Sequence, residues 1–340
     1  MANDPTNQPR LLGIEIGGTK LQVGLGRLNG CLIDLERLRV DPALGAEGIL
    51  EQIKEASSNL LRRLGVSSTD IAAIGIGFGG PVDTDRGVVI VSNQIDGWAE
   101  FPLSAWASKT LGVAQVALQN DADTAALGEA KFGAGVGYNP VLYVTIGSGI
   151  GGGLVVDGAI YRGSGRGSVE IGHLLVQEAE VDPSSWKTLE GIASGWSIAR
   201  EGQTLVAEAQ SLQGTAPPSP LIRLCQGRSS VVTAELVAQA AFEGDPGALE
   251  ILGKARIALS RALAHAATLL APRRIILGGG VSLIGEELWF GPIRLEVDRR
   301  AFPPFRGSFD IVPAALGEEV VVHGALALAS DIAERGLRKS

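Results

Sequence analysis

Apolar residues recur on both sides of Gly17-Gly18 in LLGIEIGGTKLQVGLG (11–26), which predicts a β-hairpin closed by a tight glycine turn. CLIDLERLRV alternates apolar with polar positions and predicts a third strand. An apolar spacing near 3.6 in AEGILEQIKEASSNLLRRLG predicts a helix that Gly65 closes. IAAIGIGFGGPVD reads as a buried strand ending in a Gly-Gly-Pro turn, FPLSAWASKTLG as a short helix and AQVALQ as a strand. DADTAALGEAKFG follows as a helix with acidic residues in its first turn, where the macrodipole favours them.

From Val141 the pattern starts again. VLYVTIGSGIGGGLVVDG predicts another hairpin with a glycine turn, and aligning Gly17 with Gly147 sets Glu15 opposite Thr145. Two βββαβα-like halves imply a duplicated α/β unit with a cleft between the copies. The second half adds helices at KTLEGIASGWSIARE, TAELVAQAAFEG and PGALEILGKARIALSRALAHAATLL, and a strand at RRIILGGG. A helix is expected from about Ser282 and a last amphipathic one at EEVVVHGALALASDIAERG; GTAPPSP reads as a loop. The expected domains are 1–119 and 120–340, with the last helix (about 319–335) a candidate to pack back on the first.

With 45% apolar and 19% charged residues in a chain of 340, the composition is that of a globular protein with room for two domains. A net charge of −8 argues against a general nucleic-acid or membrane-surface role. Cys31 and Cys225 lack the near neighbours of a zinc or redox motif, and so low a count fits a reducing cytoplasm. The opening MANDPTNQPR has no signal-peptide core. The uncharged run from Phe132 to Val156 is too rich in glycine and hydroxyls for a membrane span.

Several chemical motifs are excluded. GSGIGG fits the dinucleotide fingerprint in letters, yet strand-like GLVVDGAIYRG follows where that motif needs a helix. No Walker A loop and no Gly-x-Ser-x-Gly elbow occur. A di-iron bundle would need a second Glu-x-x-His beside Glu170 and His173. Phosphoryl chemistry therefore rests on the two glycine turns, whose backbone N–H groups suit phosphate, with a hydroxyl and an ammonium in the first. Asn120 and Asp121 stand where strand gives way to helix: either caps the helix, or Asp121 accepts a proton from a substrate hydroxyl. Glu170 and His173 can bond sugar hydroxyls or serve structure; His265 and His323, without comparable neighbours, read as structural.

In this order GIEIGGTK, GFGGPVD, SNQIDGW, QNDADTAALGE, TIGSGIGGGLVVDG, EIGH, LEGIASG and ILGGGVS resemble the ROK family of sugar kinases, in the actin-like ATPase superfamily that includes hexokinases. The resemblance runs from Leu11 to the last helix. It implies an α/β fold of two ribonuclease-H-like (actin-like ATPase) domains, with ATP, Mg²⁺ and a hexose in the interdomain cleft. Asp121 takes the place of the catalytic base. Gly80, Asn93, Asn120, Asp121, Glu170, His173 and Glu190 match sugar-binding positions. Gly17, Gly18, Thr19 and Lys20, with Thr145, Gly147, Ser148, Gly149 and Gly151, match the phosphate-binding turns, and Gly278, Gly279 and Gly280 the adenosine side. A homodimer is implied, and no nucleic acid or membrane is expected as a partner.

Two departures stand out. The family's first motif usually begins with Asp, whereas this chain has Glu15, which the resemblance places near Mg²⁺. Most relatives complete a structural zinc site with a cysteine cluster after the histidine; here LLVQEAEVDPSSWKTLEG has none, so no zinc is expected. The expected activity is ATP-dependent phosphorylation of a hexose, glucose at its 6-hydroxyl first, in the manner of a glucokinase of glycolysis. The alternatives are a fructokinase, an N-acetylhexosamine kinase or a catalytically silent sugar-binding protein of the family. A sugar-responsive repressor would carry a DNA-binding helix-turn-helix before the first glycine motif, where only about a dozen residues stand.

Overall fold

A computed structural model describes residues 9–92, 95–164, 167–177, 186–211 and 218–337. In chain order the first elements are β1 (Arg10–Ile16), β2 (Lys20–Arg27), β3 (Leu32–Arg39), α1 (Gly45–Arg63) and β4 (Ile71–Phe78). Next come β5 (Val82–Asp83), β6 (Val88–Val89), α2 (Leu103–Leu111), β7 (Val116–Asn120), α3 (Asp121–Phe132) and β8 (Val141–Ile146). They are followed by β9 (Ile150–Val156), β10 (Ala159–Ile160), β11 (Leu175–Gln177), β12 (Lys187–Thr188), α4 (Leu189–Ala193) and α5 (Gly195–Ser211). The remainder is α6 (Pro220–Leu224), α7 (Ala234–Phe242), α8 (Pro246–Leu270), β13 (Arg274–Gly278), α9 (Gly291–Arg300), β14 (Asp310–Pro313) and α10 (Val320–Leu337).

Two five-stranded sheets have the orders β3-β2-β1-β4-β7 and β10-β9-β8-β13-β14. Position by position these are the same order, which makes the duplication visible in topology: a hairpin with a third strand beyond it, flanked by two further strands. In the first sheet β1 pairs antiparallel with β2 and parallel with β4, and β4 parallel with β7. The chain forms two compact units, one from its start to Tyr143 with Gly153–Ser168 and everything from Ala314, the other from Val144–Gly152 and Val169–Pro313.

In the first unit, strand alternation sorts the side chains of the sheet onto two faces. Leu12, Ile14, Ile16, Leu21, Val23 and Ile76 pack with Ile49, Ile53 and Leu60 of α1 and Leu103 of α2. The opposite face carries Gly13, Gly24, Gly26, Gly75 and Gly77 among Leu11 and Ala73, which pack with Val322 and Leu326 of α10, and at Gly13 and Gly75 the helix lies against strand backbone. A Cβ on Gly75 would stand 1.8 Å from the Ala325 carbonyl oxygen, and one on Gly13 2.8 Å from that of Val322. Helix α3 meets α10 in the same manner: a Cβ on Gly324 would lie 1.8 Å from the Thr124 carbonyl oxygen. The cap of α3 is local, since the Asn120 side chain accepts from the N–H groups of Ala122 and Asp123.

Two helices differ from expectation. KTLEGIASGWSIARE is not continuous: β12 and α4 come first, and Ser194, extended at ψ 158°, breaks the run before α5. The Ser194 hydroxyl caps α5 by accepting from the Ser197 N–H, and the Gly195 N–H donates to the Gly147 carbonyl 2.8 Å away. The helix expected near Ser282 is instead a 3₁₀ turn (Gly280–Ile284) and a π-turn (Glu286–Phe290), and α9 begins only at Gly291. Left-handed glycines at 279 and 285 interrupt the backbone there. Part of GTAPPSP lies outside the described residues, among which no helix is long and apolar enough to cross a membrane.

Adding one methyl group at Gly75 should separate α10 from the sheet. Gly75→Ala is expected to cost about 3 kcal/mol, at the upper end of overpacking penalties, seen as a clear fall in Tm; an unchanged Tm would contradict the close packing.

Candidate functional site

In the first unit the sequence-predicted residues gather where β1, β4 and β7 end side by side. The glycine turn closes through the Gly17 N–H, which donates to the Lys20 carbonyl at 2.9 Å. Gly79, just past β4, donates its N–H to the Ile16 carbonyl. A Cβ on Gly79 would come 3.4 Å from both the Gly17 Cα and the Asp121 Oδ2. One glycine thus lies between the turn and the candidate base. Sequence reasoning did not single out Gly79, although GFGGPVD carried it.

Asp121 opens α3, and its Oδ1 accepts from the Ala122 N–H at 2.8 Å. Asn120 accepts two helix N–H groups on Oδ1 and donates from Nδ2 to the Gly80 carbonyl at 3.1 Å. Its amide therefore holds Gly80 and the start of α3 in register, so Asn120 is the residue that caps the helix. Asn93 lies outside the described residues. Behind Gly79, Phe78 meets Trp98 edge to face at 5.1 Å between ring centroids, giving the end of the strand a rigid apolar backing.

Lys20 does not project freely from the turn. Its ammonium lies 3.0 Å from the Glu15 carboxylate and donates to the Glu318 carbonyl at 2.9 Å. Glu15 is only 6% exposed, and its Oε2 has no hydrogen-bond partner among the described residues. Burial pushes its carboxyl up from 4.5 to about 7; Lys20 pulls the other way, while Asp121 and Glu318 add to the rise.

In the second unit the glycine turn between β8 and β9 is held from outside. Gly147 donates to the Gly149 carbonyl at 2.9 Å, and the start of α5 donates back, from Gly195 to Gly147 and from Trp196 to the Ser148 carbonyl at 3.3 Å. Glu190 on α4 accepts from the Ile150 N–H at 2.8 Å, and its Oε2 would lie 2.5 Å from a Cβ on Gly149. That oxygen braces the turn, a role the sequence did not disclose. Thr145 precedes the turn on β8, and Gly151 follows it on β9.

Glu170 and His173 are exposed on a 3₁₀ turn over Ile171–His173, which packs on the start of β9: a Cβ on Gly172 would stand 2.2 Å from the Ile150 carbonyl oxygen. The 3₁₀ turn and the Glu190 carboxylate thus both reach Ile150. Gly278 ends β13, and Gly279 lies against the strand before the turn, where a Cβ would meet the Ile146 backbone at 2.5 Å. The Gly147 and Gly278–Gly280 segments are neighbours. His265 lies within α8; His323, on α10, has its ring 6.4 Å from Phe132. Residues 178–185, within LLVQEAEVDPSSWKTLEG, lie outside the described residues. Among those described, no three His, Cys, Asp or Glu side chains are grouped to hold a metal.

The carboxyl of Glu15 gives the folded state a proton that the unfolded chain releases near pH 4.5. Stability from this group is complete below 4.5 and falls as pH rises toward 7, by up to about 3 kcal/mol. Glu15→Gln should flatten that slope, so the Tm of the variant gains on wild type between pH 5 and pH 8. A constant difference across that range would remove the buried proton from the account.

The model of the ROK family matches residues 11–332. Among characterised relatives, the glucokinase of Thermotoga maritima is 33% identical over 331 residues, covering 96% of this chain and 98% of its own. A ROK family glucokinase from Streptomyces griseus, solved in complex with glucose and AMPPNP, superposes with a TM-score of 0.77 at 31% identity, over 95% of this chain and 99% of that one. The ROK hexokinase of Thermus thermophilus superposes at 0.76 with 27% identity, over 97% of this chain and all of that one. With its paired sheets and both glycine turns in that family's order, the chain belongs to the ROK family and has the actin-like ATPase fold of its glucokinases.

Proposed function

We propose that this protein is an ATP-dependent sugar kinase that phosphorylates a hexose, with glucose at its 6-hydroxyl as the first candidate and Asp121 as general base. The observation that carries it is the placing of Asp121 at the first residue of α3, with only Gly79 between its Oδ2 and the Gly17 turn. Family membership and the glucose and AMPPNP complex of the Streptomyces griseus relative supply the substrate classes.

In the reaction, the sugar hydroxyl passes its proton to Asp121 as its oxygen forms a bond to the γ-phosphorus of ATP. The bond from that phosphorus to the bridging oxygen breaks, and ADP leaves with the electron pair. The N–H groups of Gly17, Gly147 and Ile150 are engaged within or beside their turns, so the remaining backbone N–H groups of Gly17–Lys20 and Gly147–Gly151 are the ones assigned to phosphate oxygens. Glu170 and His173 bond sugar hydroxyls, and Glu190 keeps the second turn in shape. Mg²⁺ would come with the nucleotide and neutralise phosphate charge. The buried Oε2 of Glu15, without a partner among the described residues, is the acceptor this chain offers toward it, directly or through water.

A coupled assay of ADP release over glucose, fructose, mannose and N-acetylated hexoses tests the activity and ranks its substrates. Asp121→Asn is expected to lower kcat about 10²–10⁴-fold while sugar affinity, read by calorimetry, stays within a few-fold. No sugar-dependent ADP release by wild type would reject the kinase, and a variant turning over like wild type would reject Asp121 as base.

A further inference from the structure

Three glycine-bearing segments of the second unit converge beside the candidate phosphate turn. Gly195 lies against the turn, where a Cβ would stand 2.8 Å from the Gly147 carbonyl oxygen and 3.6 Å from Val281 Cγ2. Gly279, left-handed at φ +82°, has its own close approach to Ile146. At Gly147 and Gly280, by contrast, a Cβ would meet nothing within 4 Å. The result is a floor of backbone held rigidly from below and open above, the form that lets a flat ring approach main chain.

Two large apolar side chains stand exposed on the elements that make this floor. Trp196 is the second residue of α5, its own N–H bonded to the Ser148 carbonyl, and it is 63% exposed. Leu283, on the turn that follows Gly280, is 87% exposed. An exposed leucine is ordinary, but an indole left in water on a backbone this tightly anchored is a large unsatisfied apolar surface next to open glycines.

We infer that Trp196 is the residue that stacks on the purine base of the nucleotide, with Leu283 adding apolar contact to the same ring. The inference rests on the kinase reading for the identity of the ligand as ATP. Stacking engages the π-face and not the exocyclic groups, so Trp196 strengthens purine nucleotides as a class without choosing adenine over guanine. Its backbone N–H is already engaged by the turn, which leaves the indole as the part that acts on the ligand.

The test compares wild type with Trp196→Leu and Trp196→Phe. In the Leu variant the KM for ATP and for GTP should rise together by about tenfold, while kcat and the sugar KM move by less than about threefold. Trp196→Phe should recover most of the loss. Inorganic tripolyphosphate, which has no base, should inhibit wild type and Trp196→Leu equally. ADP should quench the tryptophan emission of wild type saturably and leave that of Trp196→Leu nearly unchanged.

An unchanged KM for ATP in Trp196→Leu overturns the inference. So does an equal weakening of ATP and tripolyphosphate, which would make Trp196 a prop for the turn. A change confined to self-association, read by sedimentation over a range of concentrations, would assign the indole to a protein contact instead. Should wild type release no ADP with any sugar, the kinase reading fails while the ADP quench still decides the stacking.

Discussion

Backbone-to-backbone approach at a few glycines is the constraint on which the first unit depends. Between Gly324 of α10 and Thr124 of α3, and between Gly75 of β4 and Ala325 of α10, there is no room for a methyl group. On the sheet face that meets α10, Leu11, Leu32 and Leu35 pack with Val322 and Leu326 of that helix, and at the glycines between them helix backbone comes down onto strand backbone. Helix α3 is therefore drawn in toward the sheet edge, and its first residue, Asp121, arrives beside the ends of β1 and β4. Bulkier residues on that face would keep the fold class but lift the carboxylate away from the glycine turn.

The second unit reaches a comparable precision by other means. Its turn at Gly147 is pinned by hydrogen bonds from the head of α5 and by a carboxylate, Glu190, that accepts from Ile150. A charged acceptor bonded to a backbone N–H is stronger than a neutral one. The short helix α4 and the break at Ser194 exist because both the carboxylate and the α5 N–H groups must face the same turn. The duplicated topology is shared between the two sheets, while the devices that hold their turns have diverged.

Much of this was legible in the sequence. Alternation at Leu11–Gly26 and at Val141–Val156 announced both hairpins, and the alignment of Gly17 with Gly147 between similar apolar runs announced the repeat. The glycine motifs gave the candidate phosphate turns, and the Asn-Asp pair gave the head of α3. What escaped reading came from tertiary contact. KTLEGIASGWSIARE has a helical pattern throughout, and it is split by the pairing of Lys187–Thr188 with β11, by the Thr188 and Ser194 caps and by the carbonyl of Gly147, distant in sequence. The helix expected from about Ser282 is split into a 3₁₀ and a π turn, with positive-φ glycines at 279 and 285 on either side of the first. Gly79 and Glu190 show their positioning roles only when a Cβ or a carboxylate oxygen is set against its neighbours in space.

The Thr-Lys pair in the first turn acquires a physical meaning from the far end of the chain. Lys20 bonds the Glu318 carbonyl across 298 positions of sequence, and Arg37 pairs with Glu319 beside it. These contacts tie the turn before β2 to the head of α10, the helix that closes the glycine face. Glu15 is the third member of this knot. Its burial is unfavourable, as its raised pKa shows, and Lys20 offsets only part of that cost. An aspartate would be one methylene shorter and would hold the carboxylate closer to its own strand; with glutamate the group reaches the ammonium at 3.0 Å. The lysine is thereby committed to holding the turn and the last helix together.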